Sequence, residues 1–199
     1  MVPVVAGSSP VRHLKGGRRG NPPPATIKLA GENVDIPSMA LSAAETLERE
    51  ATVPAVLKAS CVLLTKDLEA HACNLSRVVG QLLVDLCEHS FDGRRIQLGR
   101  GYLLTDYPLT REVIERQEPR IVSLSDADVD ESEAELLREL RFDSLIMIPL
   151  VVDEASWGLF EVYREGTTRF TAEDVARATA IVESTSTVLE AHHRRASAA

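Results

Sequence analysis

The sequence predicts an α+β domain in which helices from the two ends of the chain cover one face of an antiparallel sheet. Short apolar runs with strand-like composition occupy the middle and the last third of the chain, and segments with helical periodicity flank them. No glycine-rich loop joins a strand to a helix in the manner of a dinucleotide-binding fold. The 199 residues suffice for one such domain and a tail.

Residues 1–40 differ in composition from the rest of the chain. They contain Pro22-Pro23-Pro24, little apolar periodicity, and five basic against two acidic residues, so we predict a flexible basic tail. The domain then spans residues 41–192, and residues 193–199 are predicted to be disordered.

The charge and hydropathy of the chain exclude some classes of function. The formal net charge is −8, and the acidic excess lies after residue 40, which disfavours binding of the domain to nucleic acid. No apolar run approaches the roughly 20 residues of a membrane-spanning helix. We therefore expect a cytoplasmic protein that contacts no membrane.

Two helix starts precede the first predicted strand. Ser42, with Glu45 three residues later, has the spacing of a capping box, and Thr52 followed by Pro54 is typical of a second helix start. Apolar residues between Val53 and Leu68 recur at helical spacing, so this helix needs a partner to cover its apolar face.

Strand-like runs alternate with turns and short helices through the middle of the chain. Cys73–Val79 and Leu82–Cys87 flank the turn residues Gly80-Gln81, which predicts a hairpin. Two further strand candidates cover residues 102–105 and 121–124.

Helix-start signals accompany these short strands. Pro108 is expected in the first turn of a short helix, and Asp130 is expected to cap a second helix, with Glu133 completing a capping box. In the last third, Ser144–Asp153 and Trp157–Tyr163 form another strand pair before a helix from about Thr171. The prediction is therefore five or six strands in an antiparallel arrangement.

In their order and spacing, these segments resemble GAF domains of bacterial, particularly actinobacterial, signalling proteins. The matching segments are Ala72–Arg77, Asp106–Thr110, Glu118-Pro119, Phe142–Leu150, Trp157–Tyr163 and Phe170–Asp174. The resemblance implies a six-stranded antiparallel sheet with the terminal helices on one face. It also implies a ligand pocket on the other face, beneath inserted loops and short helices.

Carried onto this chain, the resemblance places nine candidate ligand-binding residues at the pocket. They are Tyr102, Asp106, Tyr107, Thr110, Arg111, Ser123, Phe142, Ser144 and Met147. The ligand stays unknown: no cofactor is required, and a cyclic nucleotide or another small molecule is compatible with the family. Haem is disfavoured because His71 and His89 lie at hairpin ends, and no metal site is predicted.

We therefore predict a non-enzymatic, small-molecule-sensing or regulatory GAF domain that signals through a helix-mediated homodimer or a separate partner protein. The expected dimer surface combines Ser42–Leu68 with Thr171–Leu189. The last helix carries a stripe of small and apolar residues: Val175, Ala178, Thr179, Val182, Thr185, Ser186 and Leu189. An alternative is a ligand-free scaffold for dimerisation or partner binding.

A second alternative is a thiol-based redox enzyme or sensor of the free methionine sulfoxide reductase type. Simple pairing about the hairpin turn places Cys73 opposite Glu88 and Cys87 opposite Asn74. The two thiols would then be diagonal neighbours on opposite faces of the sheet, which disfavours this alternative.

Overall fold

The computed structural model describes residues 35–93, 95–96 and 101–198. Most of the predicted basic tail, residues 1–34, lies outside the described residues, whereas residues 36–40 are helical. The last helix continues to Ser197, beyond the predicted domain end at residue 192. In the part of the chain that the structure describes, no helix is long and apolar enough to cross a membrane.

Six strands form one antiparallel sheet, which confirms the α+β fold class. The strands are β1 (Ala72–Val79), β2 (Leu82–Ser90), β3 (Gly101–Leu103), β4 (Arg120–Ser123), β5 (Ser144–Val152) and β6 (Ala155–Arg164). Their order across the sheet is β3-β2-β1-β6-β5-β4. The chain therefore brings its first and last long strands, β1 and β6, together at the centre.

Five helices accompany the sheet. They are α1 (Ile36–Glu48), α2 (Val53–Asp67), α3 (Pro108–Arg116), α4 (Glu131–Leu140) and α5 (Ala172–Ser197). The predicted start at Ser42 is wrong, because Asp35 already caps α1 by accepting a hydrogen bond from the Ser38 amide. The predicted cap at Thr52 is confirmed, since its hydroxyl accepts from the Ala55 amide at 3.4 Å.

The caps of α4 and α5 depend on acidic residues. Asp130 accepts from the Glu133 amide at 3.2 Å, as the sequence predicts. The side chain of Glu133, however, turns inward and accepts from the hydroxyl of Thr110 instead of completing a capping box. Thr171 and Asp174 form a reciprocal capping box at the start of α5.

The sheet separates two apolar cores. On one face, α1, α2 and α5 pack against side chains such as Ile146 and Ile148 of β5. On the other face, Leu145 and Met147 of the same strand pack beneath α3 and α4. Strand β5 thus buries alternate side chains on both faces.

A β-bulge changes the register of the predicted hairpin. Leu75 pairs with Cys87 and Ser76 with Asp85, so Leu86 is an extra residue in β2. The predicted pairing of Cys73 with Glu88 is wrong, because Cys73 lies opposite His89.

The bulge also corrects the predicted positions of the thiols. Cys61, Cys73 and Cys87 all pack in the core on the helix face of the sheet. The sulfur atoms of Cys61 and Cys87 lie 3.6 Å apart. The prediction that Cys73 and Cys87 occupy opposite faces is therefore wrong.

Candidate functional site

A cavity of about 220 Å³ lies on the sheet face opposite α1, α2 and α5. Nine described residues line it: Asn74, Ile96, Gly101, Tyr102, Tyr107, Leu136, Glu139, Leu140 and Tyr163. Strands β1 and β6 supply the floor, and α4 supplies one wall. Leu136, Glu139 and Leu140 face the cavity together because residues three and four apart share one side of a helix.

A network of buried hydrogen bonds extends under the cavity. Asp85 Oδ1 accepts a hydrogen bond from Asn74 Nδ2 at 2.9 Å and another from Ser76 Oγ at 2.8 Å. The hydroxyl of Tyr102 donates to Glu161 Oε2 at 3.1 Å. The network connects β1, β2, β3 and β6, so it fixes the relative positions of the strands that form the floor.

Glu161 is a buried carboxyl group at the centre of this network, with 1% of its surface exposed. Burial raises its pKa to about 8, and the nearby acids Glu133 and Asp85 add to the shift. The hydrogen bond from Tyr102 opposes the shift because it favours the ionised form. At neutral pH, the carboxyl of Glu161 therefore carries a proton in most molecules.

Glu133 is a second buried carboxyl group on the same side of the sheet. Burial raises its pKa, while the hydrogen bond from Thr110 acts in the opposite direction. Tyr102 and Tyr163 also have raised pKa values, because burial and the surrounding carboxylates disfavour phenolate.

Two buried acceptor atoms on this face, Asn74 Oδ1 at the cavity and Glu133 Oε2 outside its lining, have no hydrogen-bond partner in the described part of the chain. Leaving a buried polar atom unpaired costs about 1–3 kcal/mol, so such atoms are rare in folded proteins. No lysine, arginine or histidine occurs among the described residues that line the cavity. Among the described residues, the floor thus offers one buried unpaired acceptor to the cavity, Asn74 Oδ1.

The three thiols are not available to this cavity. They lie on the opposite face of the sheet. The contact with Cys73, followed by burial, raises the pKa of Cys61, and the contact with Cys61, followed by burial, raises the pKa of Cys87. A raised pKa keeps both sulfur atoms protonated and poorly nucleophilic. Within residues 35–93, 95–96 and 101–198, no group of three or more potential metal ligands converges.

A sequence model of the GAF domain matches residues 52–189. The chain belongs to the GAF domain family. No curated protein sequence matches it.

Solved structures of GAF domains share the fold at low sequence identity. The phycocyanobilin-bound GAF domain from a cyanobacterial phytochrome has 16% identity and a TM-score of 0.69, covering 81% of this chain and 97% of that one. The phycoerythrobilin-bound GAF domain from a cyanobacterial phytochrome has 15% identity and a TM-score of 0.70. That match covers 81% of this chain and 98% of the other.

A longer bacterial structure shows the same similarity. The chromophore-binding domain of Stigmatella aurantiaca bacteriophytochrome, a Thr289His mutant in the Pr state, has 15% identity and a TM-score of 0.68. The match covers 80% of this chain, which spans 61% of that chain. The GAF fold is therefore well matched, although identities this low carry no information about the ligand.

Five of the nine predicted site residues lie on the cavity face of the sheet, and two of the five line the GAF cavity. Tyr102 and Tyr107 line it, with ring centroids 5.4 Å apart. Thr110 contacts both Glu133 and the sulfur of Met147. Phe142 stacks on the cavity-lining Tyr163, at a centroid distance of 5.0 Å.

The other four predicted residues do not line the cavity. Asp106 and Arg111 are exposed, and Ser123 is bonded to Ser125 at 2.9 Å. Ser144 is buried, and the alternation along β5 turns it toward the helix face. The structure therefore does not bring these four residues together with Tyr102 and Tyr107.

Sequence reasoning missed the polar floor of the site. Asn74 and Ser76 are two residues apart on β1, and Glu161 on β6 pairs with Asn74. Polar residues that recur with period two in a buried strand indicate one polar face. That signal was present in β1 alone, and the meaning of the single Glu161 became clear only once β1 and β6 were known to be neighbours.

Proposed function

We propose that this GAF domain is a non-enzymatic sensory or regulatory module that binds a small molecule in the cavity beneath α3 and α4. The observation that carries the proposal is a buried acceptor at a preformed cavity, Asn74 Oδ1, which has no hydrogen-bond partner among the described residues. A bound molecule with hydrogen-bond donors would satisfy Asn74 Oδ1, and apolar walls such as Leu136 and Leu140 would cover its remaining surface.

The size and position of the cavity favour a small ligand over a tetrapyrrole. A volume of about 220 Å³ is below the roughly 300–1,000 Å³ of pockets for drug-sized ligands. Covalent attachment of a bilin would need a thiol at the cavity, whereas Cys61, Cys73 and Cys87 pack on the other face. The same position of the thiols argues against the methionine sulfoxide reductase alternative.

We propose that occupancy is transmitted through the sheet to the helices on its other face, and from there to a second subunit. The predicted dimer stripe on α5 is largely used within the chain, since Ala178, Val182 and Thr185 are buried. Leu41 of α1 and Val62 of α2 are 63% and 37% exposed, so we place the homodimer contact on this outer side.

Native mass spectrometry tests the ligand-binding proposal. Protein purified from its native source is measured under conditions that preserve dimers and again after denaturation. We expect an additional small mass that disappears on denaturation. The Leu136→Trp variant, which adds an indole at the cavity wall, should lose this mass.

A matched variant controls for the added aromatic ring. Glu135→Trp places the same side chain on an exposed position of α4, so it should retain the additional mass. A dimer without any additional mass, in both the unmodified protein and the Glu135→Trp variant, would favour the ligand-free scaffold instead.

A further inference from the structure

The lining of the cavity indicates a class of ligand, if the cavity is a ligand site as proposed above. We propose that it binds a compact aromatic heterocycle of one or two fused rings that carries a ring N–H group. The N–H group would donate a hydrogen bond to Oδ1 of Asn74. The ring would lie among the tyrosines and the apolar side chains of α4.

The tyrosines of the chain are concentrated at the cavity. The chain contains three tyrosines, Tyr102, Tyr107 and Tyr163, and all three line the cavity. They come from β3, from the residue before α3 and from β6, which are well separated in the sequence. Aromatic residues make up only 4% of the chain, so three rings among nine described lining residues are an enrichment. Because aromatic rings pack favourably on other rings, this lining suits a flat aromatic ligand.

The tyrosine rings are held in place by neighbouring side chains. Tyr102 and Tyr107 meet edge to face at a centroid distance of 5.4 Å, and Phe142 stacks on Tyr163 at 5.0 Å. The hydroxyl of Tyr102 already donates to Glu161, so Tyr102 offers its ring to the cavity. A ligand that packs on rings already in position pays less conformational entropy on binding.

Asn74 requires a donor on the ligand, independently of the tyrosines. Asn74 is 2% exposed and lines the cavity, and its amide nitrogen donates to Ser76 Oγ at 3.2 Å and to Asp85 Oδ1 at 2.9 Å. These bonds fix the amide, because rotating it by half a turn would replace the donor that faces Asp85 by an acceptor. Oδ1 has no hydrogen-bond partner among the described residues. An N–H group on the ligand satisfies this oxygen, whereas a ring oxygen in the same place leaves it unpaired.

The volume of the cavity and its wall on α4 limit the size of the ligand. The volume of about 220 Å³ suits one or two fused rings, since pockets for drug-sized ligands have roughly 300–1,000 Å³. Leu136 and Leu140 lie one turn apart on α4 and line the cavity together, and Ile96 adds a third apolar side chain. These side chains would remove the apolar surface of a ring from water.

An NMR titration of the isotope-labelled full chain with indole tests the proposal. Benzofuran is the matched probe for the donor, because it keeps both fused rings and replaces the N–H group by an oxygen atom. δ-Valerolactam is the probe for the aromatic ring, because it keeps an N–H donor in a saturated ring. We expect indole to bind and to shift the amide signals of residues that line the cavity. Benzofuran and δ-valerolactam should each bind about tenfold more weakly, the scale of one hydrogen bond or of one ring contact.

Three variants assign these effects to side chains. Asn74→Leu replaces the amide by an apolar group of similar size, so it should bind indole and benzofuran with similar affinity. Tyr107→Leu removes one ring from the lining and should weaken indole binding about threefold or more. Phe91→Leu is its control, because Phe91 is 64% exposed and outside the described lining, and this variant should bind indole as the unmodified protein does. If Asn74→Leu fails to fold, the comparison of indole with benzofuran on the unmodified protein still decides the role of the donor.

The outcomes separate the class of ligand from the general sensory function. If benzofuran or δ-valerolactam binds in the cavity as well as indole does, the N–H heterocycle is overturned while the sensory function stands. A preference for indole over benzofuran that persists in Asn74→Leu overturns the assignment of the donor contact. Absence of indole binding also overturns the N–H heterocycle. The sensory function is then decided separately by the mass spectrometry described above.

Discussion

The hydroxyl of Tyr102 lies 3.1 Å from Glu161 Oε2 and donates a hydrogen bond to it, so that the edge strand β3 reaches the central strand β6 beneath the cavity. This bond favours the ionised carboxylate, yet burial and the neighbouring acids outweigh it and keep the pKa near 8. The site therefore holds a carboxyl group that is mostly protonated at neutral pH.

The buried acid makes stability depend on pH. The pKa of Glu161 is raised from 4.5 to about 8 on folding, so its favourable contribution is complete below pH 4.5 and is lost as pH rises through 8. Glu161→Gln stays neutral throughout, and we expect a flatter stability profile between these pH values. Above pH 8, the variant should be more stable by about 1 kcal/mol or more.

Urea denaturation across this pH range measures the effect. Glu115→Gln, on the exposed side of α3, is the matched control and should follow the unmodified protein. Parallel profiles for the Glu161 variant and the unmodified protein would contradict the raised pKa.

A close approach between central strands requires glycine at position 158. A Cβ atom on Gly158 would lie 2.6 Å from the carbonyl oxygen of Ser76 on β1, so the two strands would have to separate. We expect Gly158→Ala to lower the free energy of unfolding by about 1–3 kcal/mol. Gly101→Ala is the control, because its Cβ would lie 3.5 Å from the nearest atom, and its effect in denaturant titrations should stay within about 0.5 kcal/mol.

Arg164 anchors the end of β6 to the helix face. Its guanidinium lies 3.9 Å from the ring centroid of Phe170, donates to the carbonyl of Leu68, and lies 3.8 Å from Asp174. Arg164→Met would leave the nearly buried Asp174 without this positive charge. We expect the free energy of unfolding to fall by about 3 kcal/mol.

An exposed arginine provides the comparison for Arg164. Arg111 forms a solvent-exposed pair with Glu115 at 3.7 Å, so Arg111→Met should change stability by less than about 1 kcal/mol. Thermal and urea denaturation compare the two variants. Equal losses of stability in the two variants would show that burial does not determine how much the Arg164–Asp174 pair stabilises the fold.

The thiols should resist alkylation while the domain is folded. Cys61 is fully buried, and raised pKa values keep Cys61 and Cys87 protonated. We expect iodoacetamide to modify all three cysteines rapidly in denaturant and much more slowly in native buffer. Mass spectrometry of timed samples measures the rates, and rapid native modification of Cys61 or Cys87 would revive the thiol-based alternative.

The sequence predicted those parts of the fold that depend on local signals. The cap at Thr52, the hairpin turn at Gly80 and the cap at Asp130 are each specified by neighbouring residues. The start of α1 was misplaced because Ser42 and Glu45 imitate a cap inside a helix that Asp35 had already begun.

The site was only partly predictable, for a different reason. Tyr102 and Tyr107 were identified because they belong to the inserted segments. The functional meaning of Asn74, Asp85 and Glu161 depends on which strands are neighbours and which face each residue occupies. Those relationships are long-range, and the bulge shows that even one extra residue can change them.

The extra residue in β2 divides the chemistry of the domain between two compartments. On one side of the bulge, Cys87 packs with the other thiols against the helices. On the other side, Asp85 belongs to the hydrogen-bond network under the cavity. Without the bulge, Asp85 and Cys87 would lie two residues apart on a regular strand and would share one face of the sheet. The sheet thus keeps the thiol cluster of the helix face apart from the acid network of the cavity face.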